Sequence, residues 1–147
     1  MNKWDNAYMA IAQTFSQLSS ARRAKVGCCV VKDNRVLSVG YNGMPSGWDN
    51  NCEDVVITEY DQTLKTKPEV LHAETNAIAK VARSTESCEG ATLYCTMLPC
   101  LDCAKLTYQS GIDRIVYRDE YPKGTAGLEF LLKCGLKVEK WEKLNEK

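Results

Sequence analysis

Histidine, phenylalanine, long apolar runs and net charge are scarce or absent in this sequence, and each shortage excludes a class of protein. Its 147 residues include one histidine and two phenylalanines, and no apolar run is long enough to span a membrane. The 19 basic and 19 acidic side chains cancel, so no net positive charge attracts nucleic acid or anionic lipid. The start, MNKWDNAYMAIAQTFSQ, has polar residues within every apolar run, unlike a secretory signal. We expect a cytoplasmic protein with no stable nucleic-acid partner and no membrane partner.

Cysteine, by contrast, is plentiful. Without an export signal, the eight cysteines indicate a reducing compartment in which thiols stay free or bind metal. Most are expected to pack as small apolar side chains. Cys28 and Cys29 are adjacent in a predicted strand and point to opposite faces, which favours core packing. A content of 44% hydrophobic and 26% charged residues predicts one globular domain over residues 1–147.

The apolar periodicity predicts alternating helices and strands. Steps of three and four residues from Trp4 to Leu18 predict a helix over about residues 5–19. KVGCCVV and RVLSVGY, joined by KDN, predict a β-hairpin, while the polar stretch 52–68 is ambiguous, with some helical character. The rest alternates: a helix from His72, then ATLYCT, PCLDCAKLTYQSG, IDRIVY, GLEFLLKCG and LKVEKW. This order predicts an α/β chain with a mixed sheet.

Two cysteines stand three apart at a predicted helix start. Cys100 and Cys103 project from one helix face, and the positive helix N-terminus favours their thiolates. The pair alone also fits a redox dithiol or half of a structural zinc site. His72 opens the preceding helix, and in a fold of this order both helix starts lie at one sheet edge. Together the three residues suit zinc and leave a fourth position open for water, as in catalytic sites.

Glu74 stands two residues after His72. That spacing turns it away from being a co-ligand, but at the first helical turn it can lean over the open position as a general acid/base. His-Ala-Glu followed by Pro-Cys-Leu-Asp-Cys is the H-x-E…P-C-x-x-C pattern of zinc deaminases. On these residues the chain resembles the cytidine deaminase superfamily. The resemblance implies a three-layer α-β-α cytidine-deaminase-like fold with a five-stranded mixed sheet.

Further segments narrow the resemblance. VGCCVV, GYNGMPSG, HAETNAIA and GATLYCTMLPCLDCAKLTYQSGIDRIVY are similar, in order, to deoxycytidylate deaminases of phages and viruses. The resemblance implies hydrolytic deamination of dCMP to dUMP and ammonia, supplying dUMP for dTMP synthesis, with one zinc ion per chain. It also implies activation by dCTP, inhibition by dTTP, Mg²⁺ accompanying the triphosphate, and a homo-hexamer with Arg83 at a subunit contact. A phage-encoded member would act in the host cytoplasm.

The resemblance also assigns substrate-binding residues. Asn42 would contact the deoxyribose, and its amide suits a sugar hydroxyl, although the same Gly- and Asn-rich string fits a plain turn. Tyr121 would close over the substrate; the alternative is a tyrosine half-buried in a loop. Ala73 and Pro99 complete the predicted substrate contacts.

A basic run precedes the first predicted strand. Arg23 and Lys25 are the phosphate-binding candidates for an effector triphosphate, together with Gly27 and Gly43. The same run is also typical of a solvated edge. A nucleotide enzyme of zero net charge nevertheless needs local cations.

One departure from the family pattern bears on the metal count. Some phage relatives carry a second, structural zinc, but one of the positions concerned is Ala21 here and no second histidine exists. We therefore expect one zinc per chain, with Cys52 unused. The alternative functions are an enzyme that also accepts dCTP, a nucleic-acid base deaminase, and a zinc-stabilised module without catalysis.

Overall fold

The structure is a computed structural model that describes residues 1–143. Its helices are α1 (Lys3–Ser16), α2 (Ala73–Ala82), α3 (Leu101–Gln109) and α4 (Ala126–Lys133). Its strands are β1 (Gly27–Lys32), β2 (Arg35–Tyr41), β3 (Glu53–Ile57), β4 (Gln62–Thr66), β5 (Thr92–Met97), β6 (Arg114–Asp119) and β7 (Lys137–Lys140). The predicted domain ends at residue 147, so its last four residues lie outside the described part.

Five strands form one mixed sheet in the order β2-β1-β5-β6-β7. β1 pairs antiparallel with both β2 and β5, whereas β6 is parallel to β5 and β7 is parallel to β6. The β1–β2 turn has positive φ at Asp33 (50°) and Asn34 (57°), which is the geometry that two-residue hairpins favour. The predicted hairpin and the mixed five-stranded sheet are confirmed.

Helices cover both faces of the sheet. α1 packs on one face, where the buried residues include Met9, Ala12, Cys29 and Val116. The other three helices cover the opposite face over a larger core that includes Cys28 and Leu93. The three-layer arrangement is therefore the predicted one. No helix within residues 1–143 has the length and apolar character needed to cross a bilayer.

The buried face of α1 differs from the predicted one. Trp4 and Leu18, the ends of the predicted apolar stripe, are 48% and 58% exposed, and the helix ends at Ser16. Its packing on β1 is so close that a Cβ on Gly27 would lie 2.0 Å from the Ala12 carbonyl oxygen. The contact with Gly27 and a buried charged residue determine which face of α1 is buried. Neither can be inferred from the spacing of apolar residues.

That buried charge is Asp5, which is only 2% exposed. Its Oδ1 accepts hydrogen bonds from the Tyr94 hydroxyl (2.7 Å) and Arg114 Nη1 (2.9 Å). Arg114 also donates from Nε to Glu139 Oε1 at 2.8 Å, so the network joins α1, β5, β6 and β7. Burial alone would raise the pKa of Asp5, but Arg114, Tyr94 and the Asn2 N–H lower it from 3.8 to about 2.

Replacing Asp5 by asparagine is expected to lower the free energy of unfolding by about 2 kcal/mol at neutral pH. Because the folded-state pKa is depressed, the carboxylate stabilises the fold fully above its unfolded value of 3.8, and this contribution disappears as pH falls through about 2. Urea unfolding at several pH values measures both effects. Asp102→Asn is the control, since that side chain is 90% exposed and should change stability little. An equal loss at pH 7 and pH 2 would contradict the assignment.

The stretch 52–68 folds as a β-hairpin, so its expected helical character is wrong. β3 and β4 pair antiparallel in a separate two-stranded sheet, with Val55 opposite Leu64. Glu53 is buried and the rest of β3 is exposed, whereas β4 has half-buried residues at Leu64 and Thr66. The connecting turn is closed by a Thr58 N–H donating to the Asp61 carbonyl at 2.8 Å. Gly43 and Leu71 form an isolated β-bridge that joins the two ends of the segment between β2 and α2. The chain therefore returns to the end of β2 before α2 begins.

Candidate active site

Two helices begin at one edge of the main sheet. β2 and β5 are both antiparallel to β1, so they run in the same direction and their carboxyl ends lie at the same edge. α2 starts there after the Gly43–Leu71 bridge, and α3 starts there after β5. His72 and Cys100 are the N-cap residues of these helices, and neither side chain bonds its own helix's N–H groups. Ser, Thr, Asp or Asn usually occupies such a position, so these two side chains serve another purpose.

The two N-cap residues meet a third group, Cys103, in the first turn of α3. His72 Nδ1 lies 3.2 Å from Cys103 Sγ and 3.6 Å from Cys100 Sγ, and all three atoms lie within 4.8 Å of one another. Zinc bonds of about 2.1 Å to nitrogen and 2.3 Å to sulfur at tetrahedral angles separate those ligand atoms by about 3.6 Å. The donor set and its spacing therefore fit a tetrahedral zinc ion with three protein ligands.

The electrostatics of this trio favour a metal ligand set. Contact with Cys103, and then with His72, lowers the pKa of the Cys100 thiol well below its usual value. The same contact raises the pKa of Cys103, so the pair shares its first negative charge. The N-terminus of α3 adds positive potential beside both sulfurs. Thiolate is the form that binds zinc, and this environment favours one thiolate within the pair.

Glu74 lies in the first turn of α2 and is 4% exposed. Burial raises the pKa of its carboxyl group, although its own backbone N–H and the Cys103 thiol counteract part of that effect. A raised pKa makes the carboxylate a stronger proton acceptor than an ordinary glutamate, which favours a role in proton transfer. Its place beside the His72, Cys100 and Cys103 side chains is the one that the sequence predicted for a general acid/base.

A cavity of about 300 Å³ opens next to these groups. Glu74, His72 and Cys100 line one part of it. Four of the residues predicted to bind substrate or effector also line it: Arg23, Asn42, Ala73 and Tyr121. Sequence reasoning missed several other lining residues, among them Glu53, Thr66 and Lys123.

The Asn42 side chain forms hydrogen bonds with the segment directly before β1. Its Oδ1 accepts a hydrogen bond from the Val26 N–H (2.9 Å), and its Nδ2 donates to the Ala24 carbonyl (2.8 Å). One Nδ2 proton and one lone pair remain for a ligand, because an amide side chain offers four hydrogen-bonding positions. The turn role and the ligand role that the sequence left open are therefore compatible.

The buried carboxylate of Glu53 fixes the position of the segment that carries Arg23 at the cavity. Glu53 Oε1 accepts hydrogen bonds from the N–H groups of Arg22 (2.6 Å) and Arg23 (3.1 Å), and Arg23 Nη1 donates to Thr66 Oγ1 (3.3 Å). Burial opposes ionisation of Glu53, but these N–H groups lower its pKa below the usual value. Glu53 could not be found from sequence, because its pairing depends on the unrecognised β3–β4 hairpin.

Other predicted site residues lie outside the cavity lining. Lys25 and Arg83 are exposed, and Arg83 is the C-cap of α2. Gly43 belongs to the bridge with Leu71. Gly27 is buried under α1, and its N–H donates to Thr96 Oγ1 at 3.0 Å, so the structure gives it a packing role.

Pro99 is fully buried directly before Cys100. α4 approaches it so closely that a Cβ on Gly127 would lie 2.4 Å from the Pro99 carbonyl oxygen. This contact supports the turn from which Cys100 projects, so the structure gives Pro99 a supporting position behind the ligands.

Cys52 is 1% exposed and belongs to neither of the two clusters of metal-binding groups found within residues 1–143.

Comparisons with known proteins agree with this geometry. The family model for the cytidine and deoxycytidylate deaminase zinc-binding region matches residues 2–119. Deoxycytidylate deaminase of Enterobacteria phage T2 is 34% identical over 93% of this chain and 92% of its own length. The same enzyme of Mycobacterium phage D29 is 39% identical over 80% of this chain and 95% of its own.

A solved structure is similar over nearly the whole chain. The crystal structure of dCMP deaminase from the cyanophage S-TIM5, in complex with dCMP and dUMP, superposes with a TM-score of 0.85 and 43% identity. The match covers 96% of this chain and 99% of the other. The resemblance inferred from the motifs and the expected fold class are thereby confirmed.

Proposed function

We propose that this chain, which belongs to the cytidine and deoxycytidylate deaminase family, catalyses the zinc-dependent hydrolytic deamination of dCMP to dUMP and ammonia. The observation that carries the proposal is the trio of His72, Cys100 and Cys103 beside the buried Glu74 at the wall of one cavity. The S-TIM5 relative, with dCMP and dUMP bound, supports this substrate.

His72, Cys100 and Cys103 would hold the zinc ion. When bound, zinc supplies a Lewis acid that lowers the pKa of water to about 7. Glu74 accepts a proton from the attacking water and passes it to N3 of cytosine while the oxygen adds to C4. Glu74 then carries the remaining proton of the added oxygen to the amine, and ammonia leaves as the C4–N bond breaks and the C4=O bond forms. Burial and the raised pKa strengthen Glu74 as a proton acceptor, which suits a group that first takes a proton from water and then returns it.

The cavity lining suggests how the nucleotide lies. Ala73 and Tyr121 border the part beside Glu74, where cytosine would enter, and Tyr121 would close over the base. Asn42 retains a free donor and a free acceptor for the deoxyribose hydroxyl. Pro99 contributes by supporting Cys100.

We assign the substrate phosphate to Arg23 and Lys123. Both are basic and line the cavity, and Glu53 with Thr66 holds Arg23 in place. A guanidinium group suits the bidentate contact that a phosphate monoester offers. Lys25, which is exposed and outside the lining, remains the candidate for an effector phosphate.

Arg23→Ala is expected to raise the KM for dCMP by about tenfold to hundredfold, while the slower turnover of deoxycytidine stays unchanged. The nucleoside lacks the phosphate that Arg23 would contact. Arg35→Ala is the matched control, because Arg35 is an exposed arginine paired with Glu86 on the surface. An equal loss of kcat/KM for dCMP and for deoxycytidine would show that Arg23 does not bind the phosphate.

The remaining expectations are proposals of the same kind. Activation by dCTP and inhibition by dTTP, with Mg²⁺ accompanying the triphosphate, would act through Lys25 and the Gly43 loop. Exposed Arg83 is available for a subunit contact in a homo-hexamer. The neutral net charge supports an enzyme that acts on free nucleotides rather than on nucleic acids, and the cytoplasmic location stays an expectation from the sequence.

The direct test is ammonia release by the zinc-loaded protein from dCMP, dCTP, CMP, deoxycytidine and a cytosine-containing single-stranded oligonucleotide, with and without dCTP or dTTP as effectors. The proposal requires the highest kcat/KM on dCMP. A comparable rate on dCTP would favour the bifunctional alternative. Preference for the oligonucleotide, or no ammonia from any substrate at full zinc occupancy, would refute it.

A further inference from the structure

Two thiols lie behind Glu74, on the side of the main sheet that α2 covers. Cys28 of β1 and Cys95 of β5 are directly opposite each other in the antiparallel pair, and their Sγ atoms are 3.2 Å apart. Both are completely buried. Each sulfur lies within 4.8 Å of a Glu74 carboxylate oxygen. None of the proposed substrate or metal contacts uses either thiol.

We propose that Cys95 is a positioning residue for Glu74: its S–H donates a hydrogen bond to one carboxylate oxygen, and Cys28 in turn donates its S–H to Cys95 Sγ. This inference rests on the proposed function and adds two residues to it. The chain of two hydrogen bonds holds one Glu74 oxygen against the sheet and turns the other toward the cavity.

The chemistry of the surroundings favours this direction of donation. A buried carboxylate oxygen without a donor is costly, and an aliphatic side chain at position 95 would supply none. Cys103 is the other thiol beside Glu74, but as a zinc ligand it is a thiolate and has no proton to donate. Burial raises the pKa of both Cys28 and Cys95, so both remain protonated donors at neutral pH.

A thiol also suits a carboxylate that must exchange protons. S–H is a weak donor, so it can fix the orientation of the carboxylate without strongly opposing protonation. A serine hydroxyl can replace it in kind, whereas alanine removes the donor. Cys29 provides a matched control, because it lies on β1 next to Cys28, is as buried as Cys95, and faces the opposite side of the sheet.

In the kinetic test, Cys95→Ala is expected to lower kcat on dCMP about tenfold with an unchanged KM and an unchanged zinc content. Cys95→Ser should recover most of that loss. Cys29→Ala should destabilise the protein to a similar degree yet keep its kcat. Equal kcat for Cys95→Ala and wild type, equal losses in Cys95→Ala and Cys95→Ser, or an equal kcat loss in Cys29→Ala would each overturn the proposal.

A second measurement does not depend on turnover. The S–H stretching band of Cys95, identified in zinc-loaded protein by its disappearance in Cys95→Ala, should move to higher frequency when Glu74→Ala removes the acceptor. An unmoved band would overturn the hydrogen bond even if dCMP were deaminated. Conversely, a shifted band in a protein that does not act on dCMP would keep the thiol contact and reject only the proposed substrate.

Discussion

Glu74→Gln is expected to lower kcat on dCMP by about 10³- to 10⁴-fold while the protein keeps one zinc per chain. The amide fills the same buried volume and is neutral, so neither packing nor metal binding should suffer. It cannot accept a proton from water or deliver one to the ring and the leaving amine. Ammonia release and metal analysis of the same preparation measure the two outcomes together.

Glu129→Gln is the control for Glu74→Gln, because Glu129 is an exposed glutamate in the first turn of its own helix, α4. It should retain full activity. Turnover of Glu74→Gln within a few-fold of wild type would remove Glu74 from the proton transfers. Loss of zinc from the variant would instead make it a metal ligand.

His72→Asn is expected to abolish zinc binding and turnover without harming the zinc-free fold. His72 occupies the N-cap of α2 without making a capping bond, and asparagine is among the best residues there. The zinc-free variant should therefore be as stable as zinc-free wild type, or more stable by up to about 1 kcal/mol. Added zinc at about a thousand times its dissociation constant should stabilise only the wild type, by about 4 kcal/mol.

Thermal unfolding of both proteins with and without zinc measures this contrast for His72→Asn. The zinc-free comparison is its internal control, since it separates loss of a ligand from damage to the helix. Zinc-dependent stabilisation of His72→Asn equal to that of wild type would show that His72 does not hold the metal.

The proposed metal ligands and general acid/base could be predicted from sequence because they depend on helix starts and sheet topology. A helix start places residues at known positions, and one sheet edge collects the starts of successive helices. His72, Cys100 and Cys103 could be predicted as one group once the order of helices and strands along the chain had been assigned. Cys28 and Cys29 could be placed on opposite faces by the two-residue repeat of a strand.

Contacts between residues far apart in the chain could not be predicted from the sequence. The β3–β4 hairpin is short and mostly exposed, so neither strand shows a clear alternation of apolar and polar residues, and Glu53 was missed with it. Asp5 interrupts the apolar face of α1, and only its contacts with Arg114 and Tyr94 explain why a charge is buried there. The Cys28–Cys95 contact likewise depends on strand register, which the residue types alone do not determine.

The central claim is that zinc is held by one nitrogen and two sulfurs of this chain, with a fourth position left for water. X-ray absorption at the zinc edge of the purified, zinc-loaded protein tests it most directly. The account predicts two sulfur neighbours at about 2.3 Å and two nitrogen or oxygen neighbours at about 2.0–2.1 Å. A shell with three or four sulfurs would contradict it, since the position needed for water would then be filled by another cysteine.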